Sequence, residues 1–133
     1  MNPPWAVSLT AQVAAVNALQ DPEYYASCYE QTHQFREQLA RDLADQCGLK
    51  VIPGVANFLL CHLPDSSPDA KEVVKLCREQ DLFIRDTTNM GSCFDDRVVR
   101  LAVKDQETNK RIVQILARIL KPEPAPAPTA ASL

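Results

Sequence analysis

Arg97-Val98-Val99-Arg100-Leu101-Ala102-Val103 is the stretch that decides the fold. Its side chains alternate in two-residue register, with Val99, Leu101 and Val103 on one face and Val98, Arg100 and Ala102 on the other, which is the period of a β-strand. One face is wholly apolar and needs a core beneath it. The other is interrupted by Arg100. Working backwards, residues 87–95 read as an irregular loop, and Leu82-Phe83-Ile84-Arg85-Asp86 as a short strand over residues 82–86. Residues 57–63 form a continuous apolar run of strand length, expected at the centre of a sheet. The short strand at 50–52 ends at Pro53-Gly54, so these two strands are expected to make a hairpin.

Helices must cover this sheet. Ser8 is a suitable N-cap for an alanine-rich helix over residues 9–19, whose few polar interruptions predict contacts on most of its faces. Asp21-Pro22-Glu23 starts a second helix, with proline at the first helical position and an acid near the positive end of the dipole. Tyr25, Cys28, Tyr29, Phe35, Leu39, Leu43 and Cys47 then recur mostly at three- and four-residue steps, and Gly48 stops the helix. Ser67-Pro68-Asp69 opens a third helix with Ala70, Val73, Val74 and Cys77 inward. Asp105 caps a fourth, striped by Ile112, Val113, Ile115, Leu116 and Ile119. Residues 2–5 read as an extended entry, because Pro3 and Pro4 disfavour helix there. Residues 121–133, with proline at alternate positions, read as a disordered Pro/Ala-rich tail. The order is ααββαββα, an α+β fold with a small, mostly antiparallel sheet covered by helices.

Composition narrows the function. The 133 residues carry a formal net charge of -3 and no basic run interleaved with aromatics, so nucleic acid is not an expected partner. Gly48, Gly54 and Gly91 do not cluster, which excludes a glycine-rich phosphate loop or dinucleotide fingerprint. No apolar stretch is long enough to span a bilayer and no signal-like segment is present, so no membrane partner and a cytoplasmic location are expected. Cys28, Cys47, Cys61, Cys77 and Cys93 lack metal-site spacing, and no metal is expected; the first four fall among apolar residues and read as buried reduced thiols. His33 and His62 have no catalytic company. No residue offers itself as nucleophile or general base.

Two arginines stand out: Arg85, at the end of a short strand, and Arg100, inside an apolar one. A guanidinium keeps its proton, so placing it among apolar residues is costly unless an anion meets it, and its planar fork suits a carboxylate or phosphate. Two readings stand at this point. Each arginine pairs internally with an acid such as Asp86, Asp95 or Asp96, or the two bind an external anion together.

Residues 2 to about 120 resemble the C-terminal small domain of the class I/II (fold-type I) pyridoxal-phosphate-dependent aminotransferases. The matching stretches are Pro3-Pro4-Trp5-Ala6-Val7-Ser8, Ala18-Leu19-Gln20-Asp21, Pro53-Gly54-Val55-Ala56-Asn57-Phe58-Leu59-Leu60, Ile84-Arg85-Asp86, and Val99-Arg100-Leu101-Ala102-Val103 with Asn109 beyond. Within the family the similarity is greatest to the branch of histidinol-phosphate aminotransferase and the threonine-phosphate decarboxylase of cobalamin synthesis. The Pro-Pro-Trp opening, and Ile84-Arg85 followed by Asn89 and Arg100, look more like the decarboxylase.

The resemblance implies that Arg100 binds the substrate carboxylate or another anionic group and that Arg85 joins it at a phosphorylated substrate. It implies an interdomain helix in residues 1–20, a substrate-side domain in residues 21–120, and a parent enzyme that is a homodimer using pyridoxal phosphate. The family's cofactor lysine, pyridine-pairing aspartate and phosphate loop belong to the large domain upstream of the position matching Pro3. None of Lys50, Lys71, Lys75, Lys104, Lys110 and Lys121 sits in a matching serine-rich context. The chain therefore reads as a shortened or split gene product, inactive alone, with no cofactor of its own. Its helix at residues 9–19 is expected to keep an uncovered apolar face and to promote self-association through residues 3–25. The competing reading, from another class, is a free-standing small-acid-binding or dimerisation module.

Overall fold

The fold is that of a computed structural model, which describes residues 7–91 and 93–120. The elements follow the expected order: α1 (Leu9–Ala18), α2 (Pro22–Cys47), β1 (Lys50–Ile52), β2 (Phe58–His62), α3 (Ala70–Arg78), β3 (Arg85–Asp86), β4 (Val98–Ala102) and α4 (Gln106–Leu120). Ser8, Asp21 and Asp105 make the capping bonds expected of them, and Asp69 of the segment that opens the third helix makes another. Ser8 Oγ accepts from Ala11 N–H at 3.3 Å, Asp21 from Tyr24 N–H at 3.2 Å, Asp69 from Glu72 N–H at 2.8 Å and Asp105 from Thr108 N–H at 2.9 Å. Gly48 closes α2 in the left-handed region at φ 68°, a conformation in which a side chain would be strained.

The four strands form one antiparallel sheet in the order β1-β2-β4-β3. The apolar run of β2 is central, as its composition requires, and β1 joins it as the expected hairpin. Leu59, Cys61, Val99 and Leu101 point to one face, where the second half of α2 together with α3 and α4 cover them. Leu39, Leu43, Val73, Val99, Leu101 and Leu116 are all essentially inaccessible there. The main core thus lies on one side of the sheet, and Val98 is the fully buried residue of β4 on the other.

Three sequence expectations need correction. The strand over 82–86 is reduced to Arg85–Asp86: Leu82 donates its amide to Cys77 O at 2.9 Å, and Arg111 holds the carbonyl of Gln80 at 2.7 Å, which ties this segment to the end of α3 instead of to β4. The apolar stripe of α2 is buried only in its second half; Tyr25 and Tyr29 stay 38% and 64% exposed, and Cys28 is half-buried. Helix α1, expected to be contacted on most faces, buries no residue. Periodicity identifies an apolar face, but here Ala15 and Ala18 of α1 and Tyr25 and Tyr29 of α2 only line a shared open groove and are not covered. The expectations for residues 1–6 and for the tail at 121–133 lie outside the described residues.

Candidate anion-binding site

The face of the sheet opposite the core carries the arginines. Arg85 and Arg100 are direct cross-strand partners in the β3–β4 register, so both side chains leave the sheet on the same side. Leu60 is the partner of Arg100 on β2, and Ile52 that of Leu60 on β1. One row across all four strands therefore reads Ile52, Leu60, Arg100, Arg85: two aliphatic side chains followed by two cations. Asp86 is the partner of Val99 and belongs to the other face.

Two like charges directly opposite each other are unfavourable in a ladder unless something negative lies between them. Internal acids do not supply it. Among the described residues the ion pair that forms is Lys75–Glu72 at 3.0 Å on α3, and neither Arg85 nor Arg100 enters one. The Asp86 carboxylate is turned to Thr88, accepting its amide at 2.9 Å and its hydroxyl at 2.6 Å, which holds that carboxyl below the usual carboxylate range. Asp95 accepts the amide of Arg97 at 2.9 Å. Of the two readings left by the sequence, internal pairing with these acids is not what the structure adopts.

Arg100 is half-buried, and its Cζ lies 5.1 Å from the centroid of the Phe58 ring, within cation–π range. Sequence reasoning quoted Phe58 without giving it a role. The available signal was its parity: Phe58 lies two residues before Leu60, on the same face, diagonal to Arg100. Arg97, also passed over, is structural. Its guanidinium donates to the carbonyls of Pro64, Ser67 and Pro68 and to Ser67 Oγ, fastening the turn before α3 to the start of β4. Thr87, fully buried, donates its hydroxyl to Val98 O at 2.8 Å and extends the β3–β4 pairing by one residue. Asn109 is likewise structural, bridging the amide and carbonyl of Lys104 at 3.0 and 2.9 Å.

His33, Cys61 and Cys77 stand in structural settings. His33 shares its Nδ1 with Nη1 of the buried Arg36 at 2.6 Å. Burial pushes the Cys61 thiol up to about 12 and that of Cys77 to about 11, values at which neither is a nucleophile near neutral pH.

The model of the class I and II aminotransferase family matches residues 1–116. The chain belongs to this family. Among its curated relatives, the histidinol-phosphate aminotransferase of Geobacillus sp. (strain WCH70) is 31% identical over 118 residues, 89% of this chain and 30% of that protein. The corresponding enzyme of Methanocella arvoryzae is 34% identical over 117 residues, with 87% of this chain and 30% of the relative covered. The chain thus spans about 30% of the length of these relatives. Among solved structures, the histidinol-phosphate aminotransferase of Clostridium acetobutylicum superposes with a TM-score of 0.75 at 26% identity, covering 87% of this chain and 34% of that one. The L-threonine-O-3-phosphate decarboxylase of Porphyromonas gingivalis does so with a TM-score of 0.64 at 27% identity, over 89% and 36%.

Membership in this aminotransferase family raises the question whether the described residues could hold pyridoxal phosphate. A lysine that takes a carbonyl cofactor is desolvated or set beside another cation so that its ammonium gives up a proton readily. Lys50, Lys71, Lys75, Lys104 and Lys110 are all exposed, and the Lys75 ammonium is pushed the other way, up, by its bond to Glu72. These lysines do not fit the cofactor. Among the described residues no helix is long and apolar enough to cross a membrane.

Proposed function

We propose that the chain is the C-terminal, substrate-side domain of a pyridoxal-phosphate-dependent aminotransferase or amino-acid decarboxylase acting on a phosphorylated amino acid or amine, in which Arg85 and Arg100 hold the substrate's anionic group. The observation that carries this reading is the cross-strand pair itself: two guanidinium groups on one sheet face, in direct register and with no acid of the described residues paired to either. Such a pair offers up to four parallel N–H donors to one phosphate or carboxylate. Relatives named for histidinol phosphate and for threonine phosphate support a phosphorylated substrate. The cofactor chemistry belongs to parts of the parent that these residues do not supply. In this reading residues 1–20 join the two domains, residues 21–120 are the substrate-side domain, and the parent is a cytoplasmic homodimer. The exposed α1 supports self-association of this chain through residues 3–25.

The test is binding to the 133-residue chain at constant ionic strength. Calorimetric titration with O-phospho-L-threonine is expected to give a millimolar dissociation constant that Arg85→Ala and Arg100→Ala each weaken at least tenfold, while threonine itself is bound far more weakly. Equal binding of the phosphorylated and unphosphorylated compounds, or indifference to both substitutions, overturns the reading.

A further inference from the structure

The two arginines are alike in chemistry and unlike in how they are held. Arg85 is exposed on a two-residue edge strand. Arg100 is half-buried on a central strand, over the ring of Phe58 at 5.1 Å. A long side chain beside a like charge tends to swing outward into water, and its rotatable bonds make that easy. Something must keep Arg100 in the row.

We infer that Phe58 is a positioning residue, whose ring holds the Arg100 guanidinium in place as an anion receptor; the inference rests on reading Arg100 as an anion ligand. The chemistry of the hold is what singles Phe58 out. A carboxylate would also fix a guanidinium, but it would occupy the N–H fork and cancel the charge. An aromatic face attracts the cation through its quadrupole and leaves the N–H edge free to donate. The fold places the ring where it can do this. Phe58 and Arg100 are diagonal neighbours on adjacent central strands, a separation that an aromatic ring and a long side chain together span. Arg85 then acts as the mobile second arm, closing on an anion that Arg100 has already oriented.

The experiment follows the arginine Nε–Hε signals of the 133-residue chain by NMR while inorganic phosphate is added at constant ionic strength. In the unmodified chain the Arg100 Hε signal is expected upfield, shifted by the ring current, and Arg100→Ala identifies it. Phe58→Leu should return that signal to the position of a free arginine and weaken phosphate binding about three- to fivefold. Phe58→Tyr, which keeps the aromatic face, should preserve both. Melting curves separate these effects from loss of folding, and if Phe58→Leu fails to fold, the comparison of Phe58→Tyr with Phe58→Met serves in its place. An unshifted Arg100 signal in the unmodified chain, or equal phosphate affinity in the Leu and Tyr variants, overturns the inference. If Arg100→Ala leaves phosphate binding unchanged, the anion-site reading itself fails, and the ring-current shift still reports whether Phe58 holds Arg100.

Discussion

Replacing Arg85 by glutamine is expected to stabilise the chain and to weaken its site at the same time. The side chain leaves β3 directly opposite Arg100, and no acid of the described residues pairs with either. Like charges facing each other across a ladder cost a few tenths to about 1 kcal/mol. Arg85 is exposed, so the lower half of that range applies, about 0.3–0.5 kcal/mol at low salt, and less as the ionic strength rises. Glutamine keeps the backbone donor of the strand and a polar tip on a shorter side chain, and removes the charge. For a chain of this size that corresponds to a rise in Tm of roughly 1–3 °C.

Phosphate should reverse the order. A ligand bound only by the folded state stabilises it by RT ln(1 + [L]/Kd), which at ten times the dissociation constant amounts to about 1.4 kcal/mol, or roughly 5–8 °C. The unmodified chain should gain this in phosphate relative to chloride of equal ionic strength, and Arg85→Gln should gain less than half. Thermal melts in the two salts measure both effects. The reasoning is refuted if Arg85→Gln lowers Tm at low salt, or if phosphate stabilises the two proteins equally.

Three further outcomes are expected. Leu101→Ala, at a fully buried position on the central strand β4, should cost about 3–4 kcal/mol, read as a lower urea midpoint at unchanged slope. With a disulfide reagent at pH 8, the exposed Cys93 should react first, while Cys61 and Cys77, whose thiols burial pushes to about 12 and about 11, should react only as fast as the core opens. The Asp86 carboxyl is held low by the Thr88 hydroxyl and amide, so its contribution is complete above the carboxyl's unfolded value and is lost as pH falls through the folded one. Thr88→Val should therefore flatten the acid limb of a stability-versus-pH curve and leave neutral pH nearly unaffected in shape.

Much of the fold was legible because the relevant signals are local. Ser8, Asp21, Asp69 and Asp105 cap the helices they precede, Gly48 takes the left-handed conformation that ends α2, and the alternation of β4 assigns Val99 and Leu101 to the core. What could not be read depends on partners. Tyr25 and Tyr29 belong to the same periodic stripe as Leu39 and Leu43, but periodicity says which residues share a face and not whether anything meets it. Phe83 and Ile84 have strand composition, yet the bond from Leu82 to the end of α3 draws the segment away before it can pair. The arginines were legible as oddities of position, and their common face follows from register. Phe58 was missed because parity places it only on the face of Leu60, and it takes the β2–β4 register to bring that face beside Arg100. Arg97 shows the converse: a half-buried arginine that looks no different in sequence and spends its donors on three carbonyls.

The two open surfaces of the chain differ in what they require. The sheet face is fixed by the fold: Arg100 stands on β4, whose far side is packed into the core, and Arg85 is its partner in register on β3. Helix α1 is in the opposite condition. It has 10 residues, no charge and no buried side chain, with Leu9, Val13, Val16 and Leu19 between 54% and 83% exposed. A helix of that length is marginal in water on propensity alone, and an apolar surface on all sides is stable only when covered. Its alanines and the Ser8 cap favour the helix locally, and the core from Leu39 to Leu120 contains no residue of α1. The placement of the arginine pair and the ordering of α1 are therefore separable: truncating α1 should leave the register of Arg85 and Arg100 intact, because no contact of consequence links that helix to the sheet that carries them.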